Sequence, residues 1–476
     1  VASPSPIIVW FRQDLRLADQ PALSAAAAEG APVAPVYVLD EEGEGAWSPG
    51  AASRWRLGRS LAALAASLEK AGSRLTLRRG RSLEVLLELA EETGAKAVYW
   101  NRRYEPAVRR RDTEIKKRLS AAGLRVRSFN GSLLHSPLAV ETKAGEPFKV
   151  FTPFWRRLRE LGARAVLEAP SALSAPSAFP KSERLEDWEW LARAGWSDAI
   201  GEVCSPGEAE ARKRLETFAS SAAADYATSR DVLGEEDGVS LLSPYLHFGE
   251  ISPVVVWRRL QGDRAAEPFL RQIAWREFAY HLLYHFPDTP EKPLRPAFEK
   301  FPWRRDETAL KAWQRGQTGV PLVDAGLRQL WRAGWMRNRV RMVTASFLTK
   351  NLMQPWQAGA RWFWDALVDA DLANNTLGWQ WVAGCGADAA PFFRIFNPVT
   401  QGRRFDPDGA YVRRWVPELA GLPASSIHQP WEAPPETLRA AGVALGANYP
   451  RPIVDLRESR ARALAAYREM TGKSGG

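Results

Sequence analysis

The run Ile7-Ile8-Val9-Trp10-Phe11 is short, apolar and rich in β-branched residues, and its pattern recurs at Val33 to Leu39, Leu75 to Arg79, Ala97 to Trp100 and Leu124 to Phe129. Between these runs, apolar residues fall at helical spacing from Ala52 to Ala71, Ser82 to Thr93 and Ala107 to Ala122. Strand and helix signals in alternation specify a parallel sheet covered by helices, a doubly wound α/β domain. Such a sheet takes ligands at the carboxyl ends of its strands. No Gly-x-Gly-x-x-Gly follows the first run, so a dinucleotide site is not signalled.

From about residue 131 to 205 the periodicity weakens, and Pro, Ser and Ala accumulate in the stretch from Ala169 to Pro180. This reads as an interdomain connection. Helical spacing returns near 207–225, 253–261, 266–286, 307–315, 321–333, 337–352, 358–369 and 433–443, with few strand-like alternations. The expected organisation is an α/β domain over 1–131, a long linker over 132–205 and a helical domain over 206–476.

A chain of 476 residues, 45% hydrophobic and 25% charged, has the composition of folded domains and not of a disordered chain. Its formal charge of +10 suits a polyanionic partner. Cys204 and Cys385 form no Cys-x-x-Cys, so neither a disulfide framework nor a thiolate zinc site is indicated. The start Val1-Ala2-Ser3-Pro4-Ser5-Pro6 lacks the basic and apolar regions of a secretory leader, and no apolar run reaches the roughly 20 residues of a membrane span. A cytoplasmic location is expected. No nucleophile elbow, His-Glu-x-x-His, P-loop or ligand-spaced histidine cluster appears, so hydrolytic and metal chemistry lose their usual parts and no metal is expected.

The chemistry concentrates in Gly334-Trp335-Met336-Arg337-Asn338-Arg339-Val340-Arg341-Met342 and Asp369-Ala370-Asp371-Leu372-Ala373-Asn374-Asn375-Thr376-Leu377-Gly378-Trp379-Gln380-Trp381. Arginines neutralise phosphate and indoles stack on exposed bases, so this combination suits nucleic acid. Residues 325 to 364 hold seven Lys or Arg and no Asp or Glu. Helical spacing puts Arg337 and Arg341 on one face, toward a phosphate or carboxylate, and Asn338 and Met342 on the next, toward a flat apolar ligand. Nearby arginines favour ion pairing over acid–base work for Asp369 and Asp371. Ser243 and Pro244 read as N-cap and first residue of a helix whose free N–H groups suit a phosphate. Of 21 tryptophans, ten fall between Trp275 and Trp381; core packing is the expectation for most, Trp331, Trp362 and Trp364 among them.

These residues closely resemble the photolyase/cryptochrome flavoprotein family. The resemblance begins at Val9-Trp10-Phe11-Arg12-Gln13-Asp14-Leu15-Arg16-Leu17, includes Phe148-Lys149-Val150-Phe151-Thr152-Pro153-Phe154 and Trp275-Arg276-Glu277-Phe278, and extends to the segment Asp388 to Pro398 and to Gln401-Gly402. It implies a C-terminal helical domain holding FAD and an α/β domain carrying an antenna chromophore. By that resemblance Tyr226, Ser240, Ser243 and Leu246 face the phosphates and ribityl chain, and Arg341 pairs with Asp369 beside the isoalloxazine. Asp371 accepts from the ring's pyrimidine side, and Asn375 sits opposite flavin N5, where an amide donates a hydrogen bond without supplying an acidic proton. Trp379, Trp356 and Trp303 match the family's electron-transfer triad, three positions that a bare sequence would not single out. Trp275 and Trp381 match the walls around a flipped pyrimidine dimer, with Asn338, Arg339 and Met342 lining the pocket.

The implied activity is light-driven repair of cyclobutane pyrimidine dimers in UV-damaged DNA by a monomer, closest to the bacterial class III photolyases. Asn338 and Met342 stand where (6-4) photolyases carry histidines. Three departures stand out. Gln272 replaces a pocket glutamate one turn before Trp275, and Val239 replaces a threonine near the phosphates. The loop Glu42 to Ala52 has no histidine, and Tyr104-Glu105-Pro106-Ala107-Val108 lacks the Asn-Glu pair of a folate site. The antenna expected is 5,10-methenyltetrahydrofolate held by other contacts. The rival readings are a blue-light cryptochrome, disfavoured by Trp275, Asn375 and the short tail after Asp455, and a basic helical nucleic-acid-binding protein without photochemistry.

Overall fold

The computed structural model describes residues 4–188, 205–389 and 393–472. Strands β1 (Ile7–Phe11), β2 (Val33–Leu39), β3 (Thr76–Arg79), β4 (Ala97–Asn101) and β5 (Arg125–Phe129) form one sheet in the order β3-β2-β1-β4-β5. All four neighbouring pairs are parallel, with Ile7 opposite both Val33 and Ala97. β1 and β4 are buried at every residue, which is why they read as unbroken apolar runs. The strand order reverses at β1, and the crevice of a doubly wound sheet opens there.

Helices α1 (Pro21–Ala28), α2 (Ala51–Lys70), α3 (Ser82–Thr93) and α4 (Pro106–Ala121) cover the sheet. The α3 bounds match the sequence expectation, and α3 ends on Gly94 at φ +66°, the left-handed turn that glycine allows. The α1 helix was not expected: its Ala-rich sequence has no polar stripe, and it is started by the Gln20 side chain, which accepts from Leu23 N at 2.7 Å. The stretch read as a connection also contains a helix, α5 (Phe151–Leu161), whose Phe151, Phe154, Trp155 and Leu158 are buried against the Glu267–His285 helix.

The other half is helical. Glu208–Ser221, Pro253–Leu260, Glu267–His285, Glu307–Gln314 and Pro321–Ala333 fall within or beside the expected spans. The expected 337–352 helix is α-helical only over Asn338–Ser346 and continues as a π-helical turn, Phe347–Asn351. Ser243 is the first residue of its helix and not the cap, which is Leu242. Helices among the described residues that escaped the periodicity include Leu372–Ala383, Pro398–Phe405, Ala410–Trp415 and Leu456–Thr471. Trp331 does not pack in the core as expected. It is 60% exposed and stacks on half-buried Trp362 with ring centroids 5.8 Å apart.

The segment after β1 staples the two halves. Arg16 is fully buried and donates to Asp19 O, to Gly249 O at 2.9 Å and to Gly131 O at 2.7 Å. Asp19 accepts from Ser252 Oγ at 2.5 Å and pairs with Arg164. Gly249 sits at φ +66°, and a Cβ there would lie 2.3 Å from Gln13 O, so close backbone approach requires glycine. Among the described residues, no helix is long and apolar enough to cross a membrane.

Candidate active site

Asp369 and Asp371 lie on the short connection between the Trp356–Ala366 and Leu372–Ala383 helices and have separate partners. Arg341 Nη2 donates to both Asp369 oxygens, at 3.1 and 2.9 Å, while its Nε donates to Met336 O at 2.7 Å. The pair expected from the sequence is therefore formed, with the carboxylate buried and the guanidinium a quarter exposed. Asp371 caps the Leu372–Ala383 helix, accepting from Asn374 N at 2.8 Å, and its Oδ2 accepts a short hydrogen bond from Tyr280. Burial alone would raise its pKa. The nearby His247 ring, the charge of Arg276 and the Tyr280 hydroxyl hold it well below the ordinary carboxylate range.

Asn375, in the first turn of that helix, donates from Nδ2 to Ala360 O at 3.0 Å. That fixes the amide and leaves its second N–H and its oxygen for another partner. One turn on, Trp379 is buried edge-on against Phe363 and Trp313. Gly359 makes its room, since a Cβ there would lie 2.1 Å from the Trp379 ring. Trp356 is 1% exposed, and half-buried Trp303 packs on Phe301 with centroids 4.4 Å apart. Trp379 and Trp356 are buried in one apolar cluster, and half-buried Trp303 packs against it.

The Tyr226 ring lies edge-to-face with Phe218 and Phe269. Ser240 and Leu246 are buried, and Ser243 Oγ accepts from Trp335 Nε1 at 3.3 Å. Leu241 between them has φ +53°, a strained left-handed conformation for a γ-branched residue that turns the chain into the Ser243–His247 helix. That helix has no side-chain cap, so its first N–H groups are left for another acceptor.

On the neighbouring face, Trp275 stacks on Phe151 of α5, with centroids 3.7 Å apart and planes within 6°. One face of the indole is thus backed by a buried ring. Gln272, one turn earlier, is half-buried and donates weakly to Pro268 O at 3.4 Å. Asn338 Nδ2 meets Met342 Sδ at 3.5 Å, so the i, i+4 stripe is realised. Trp381 is half-buried. Arg339 turns aside to pair with Asp231 and lies over the Phe405 ring at 4.5 Å. Arg337 precedes the first helical residue and is 4% exposed, so it does not extend the Arg341 face outward as expected.

The seven-cation run is less bare than its sequence implies. Arg328 pairs with Glu418, Arg339 with Asp231, Arg341 with Asp369 and Arg361 with Glu291. Lys350 is fully buried and donates to Ala383 O at 2.7 Å. The counter-charges come from distant segments, which a local count does not see.

A second cavity opens at the carboxyl ends of β1 and β2, lined by Trp10, Arg12, Gln13, Tyr37, Glu44, Arg103 and His247 among others. Its arginines are internally paired, Arg12 with Asp112 and Arg103 with Glu44 and Glu105. Sequence reasoning missed His247, Tyr280, Phe151 and Gly359. Only Phe151 carried a signal, inside the quoted Phe148 to Phe154 motif. No group of three or more potential metal ligands occurs among the described residues.

Residues 7–175 match the family described as DNA photolyase, and residues 269–469 match the FAD binding domain of DNA photolyase. The chain is 50% identical to the deoxyribodipyrimidine photo-lyase of Agrobacterium fabrum, over 97% of this chain and 98% of that one. It is 41% identical to cryptochrome-2 of Arabidopsis thaliana, over 97% of this chain and 79% of the other. A class III photolyase from Agrobacterium tumefaciens superposes with a TM-score of 0.96 at 49% identity, covering 99% of both chains. The chain is a member of the photolyase/cryptochrome family.

Proposed function

We propose that this protein is a light-driven deoxyribodipyrimidine lyase that carries FAD and repairs cyclobutane pyrimidine dimers in UV-damaged DNA. The observation that carries the reading is an amide, Asn375, held by Ala360 O one helical turn from Asp371. It stands in a chain 50% identical, over nearly its whole length, to a deoxyribodipyrimidine photo-lyase. FAD fits the residues present. A carboxylate-paired arginine, an ionised helix-cap aspartate and a fixed amide offer the polar partners of a flavin edge. The uncapped Ser243–His247 helix, with Ser240 and Tyr226 beside it, offers donors to phosphate.

When bound, FAD supplies the light-driven electron that opens the dimer and receives it back. The protein's share is placement and charge. Arg341 orients Asp369, and Asn375 would offer the flavin an amide hydrogen bond without an acidic proton. Trp379 and Trp356, buried, and Trp303, nearer the surface, would pass an electron between the flavin and the surface. Trp275, backed by Phe151, presents one face and edge to a flipped pyrimidine, with Trp381, Gln272, Asn338, Arg339 and Met342 around it. The cavity at the strand ends would hold the antenna, 5,10-methenyltetrahydrofolate. The enzyme works as a cytoplasmic monomer on DNA held through its phosphates.

The test is recovery of intact thymines from UV-irradiated oligothymidine incubated with the reduced protein, in blue light and in darkness. Light-dependent recovery is expected. No recovery from flavin-loaded, reducible protein would move the reading to a cryptochrome photoreceptor.

A further inference from the structure

Three polar side chains from distant parts of the chain meet between the strand-end cavity and the proposed flavin site. Gln13 follows β1, His247 ends the Ser243–His247 helix, and Asp371 caps the Leu372–Ala383 helix. Gln13 Nε2 and His247 Nε2 are 3.5 Å apart, at the outer limit of a hydrogen bond. His247 Nδ1 lies 3.9 Å from Asp371 Oδ2, beyond hydrogen-bond distance but close enough for an N–H dipole to act on the carboxylate. Gln13 and His247 both line the cavity. His247 is 7% exposed, and its Nδ1 has no hydrogen-bond partner among the described residues.

Hydrogen-bond bookkeeping gives this contact a direction. An amide N–H facing Nε2 makes that nitrogen the acceptor and leaves the ring proton on Nδ1, the atom turned toward the carboxylate. Asp371 Oδ1 already accepts from Asn374 N at 2.8 Å and Asn374 Nδ2 at 2.6 Å, and Oδ2 accepts from Tyr280. Of roughly four acceptor positions on a carboxylate, one remains, on Oδ2, and His247 Nδ1 at 3.9 Å stands beside it without taking it, which leaves it for the flavin.

We infer that His247 is a positioning residue that sets how much negative charge Asp371 presents to the flavin, and that Gln13 ties this setting to the strand-end cavity. The inference rests on the reading of Asp371 as flavin-facing. It links the two proposed chromophore sites through a line of polar contacts, in addition to any optical coupling. An N–H dipole aimed at Oδ2 lowers the negative potential of the carboxylate. Its loss leaves a more concentrated anion that opposes the arrival of an electron on the flavin.

The experiment measures the midpoint potential of the FAD-loaded full chain against a reference dye at about pH 8, where the carboxylate remains ionised. An asparagine amide reaches the position of Nδ1, and a glutamine amide that of Nε2. His247→Phe and His247→Gln are expected to lower the equilibrium constant for flavin reduction on the order of threefold to tenfold. His247→Asn should retain the wild-type value, and Gln13→Leu should shift it in the same direction as His247→Gln. Unchanged potentials in His247→Gln and His247→Phe, beside a shifted Asp371→Asn, would overturn the relay alone. Asp371→Asn keeps the helix cap, so if it leaves the potential unmoved, the flavin-facing reading of Asp371 fails and the relay with it. If His247→Phe does not retain FAD, the contrast between His247→Asn and His247→Gln decides.

Discussion

A methyl group at Gly359 would collide with the Trp379 ring at 2.1 Å and with Leu348 Cδ2 at 2.6 Å. Gly359→Ala is therefore expected to destabilise the fold by about 1–3 kcal/mol and to slow light-driven reduction of the flavin, because Trp379 must tilt to make room. Urea unfolding and the photoreduction rate, measured on the same preparation, check both; an unaltered rate would show that the indole is not the electron donor. Gln272→Glu tests the pocket itself. A carboxyl group can share a proton with the dimer's carbonyl where an amide cannot, so more thymines per photon should be recovered at equal DNA affinity, and equal yields would mean that the amide suffices. The resemblance carried Arg341–Asp369 into the sequence reading because both residues sit in recognisable motifs. The contacts of Tyr280 with Asp371 and of Phe151 with Trp275 were not legible, although Phe151 lies in a quoted motif: Tyr280 lies 91 positions from Asp371, and Phe151 is similarly remote from Trp275. Only tertiary folding gives such contacts their meaning.

The Glu267–His285 helix carries Trp275 on one side and grips the segment before α5 on another. Glu277, fully buried, accepts from Leu134 N at 2.9 Å, and burial pushes its pKa up to about 7, against the nearby charge of Arg276. Its folded-state pKa lies above the unfolded value, so the folded protein binds the extra proton and loses stability as pH rises from about 4.5 to about 7. Glu277→Gln, which keeps the acceptor without the charge, should thus gain on the wild type by up to about 3 kcal/mol between those limits. Urea midpoints at both ends of that range would show it, and a pH-independent difference would mean that the carboxyl stays ionised. In α5, Phe151→Leu removes the ring behind Trp275 and should weaken binding of dimer-containing DNA by about 1 kcal/mol, roughly fivefold in Kd, while leaving the flavin spectrum unchanged. The strands and the long amphipathic helices were readable because one period of hydrophobicity dominates each. By contrast, the Leu372–Ala383 helix is apolar nearly all round with asparagines at its start and shows no stripe, while α5 carries one at Phe151, Phe154, Trp155 and Leu158 but is short and has Thr-Pro in its first turn.

Over the whole molecule, a charge of +10 coexists with many arginines already paired inside the fold, so the cations free to meet DNA are fewer than the composition suggests. Affinity for UV-irradiated DNA should still fall by at least roughly tenfold between about 50 and about 200 mM salt, and a titration across that range measures it. A flat response would indicate that phosphate contacts do not dominate. The two-part architecture was legible from the change in periodicity near residue 131. The joint was not, because it depends on single groups such as Arg16 and Glu250, whose partners come from both halves. Glu250, wholly buried, accepts from Arg56 Nη2 at 2.6 Å and from Gly207 N at 2.6 Å. The Trp356–Ala366 helix adds a further tie. Its Asp365 accepts from Ala51 N at the start of α2, Trp364 Nε1 donates to Ser48 O at 2.7 Å, and Trp356 and Gly359 lie on the same rod. Resonance transfer of excitation falls steeply with separation and with the angle between transition dipoles. A single helix bolted to the α/β half at one end and to the proposed redox tryptophans along its flank would therefore act as an optical bench, keeping the spacing and orientation of two proposed pigments constant.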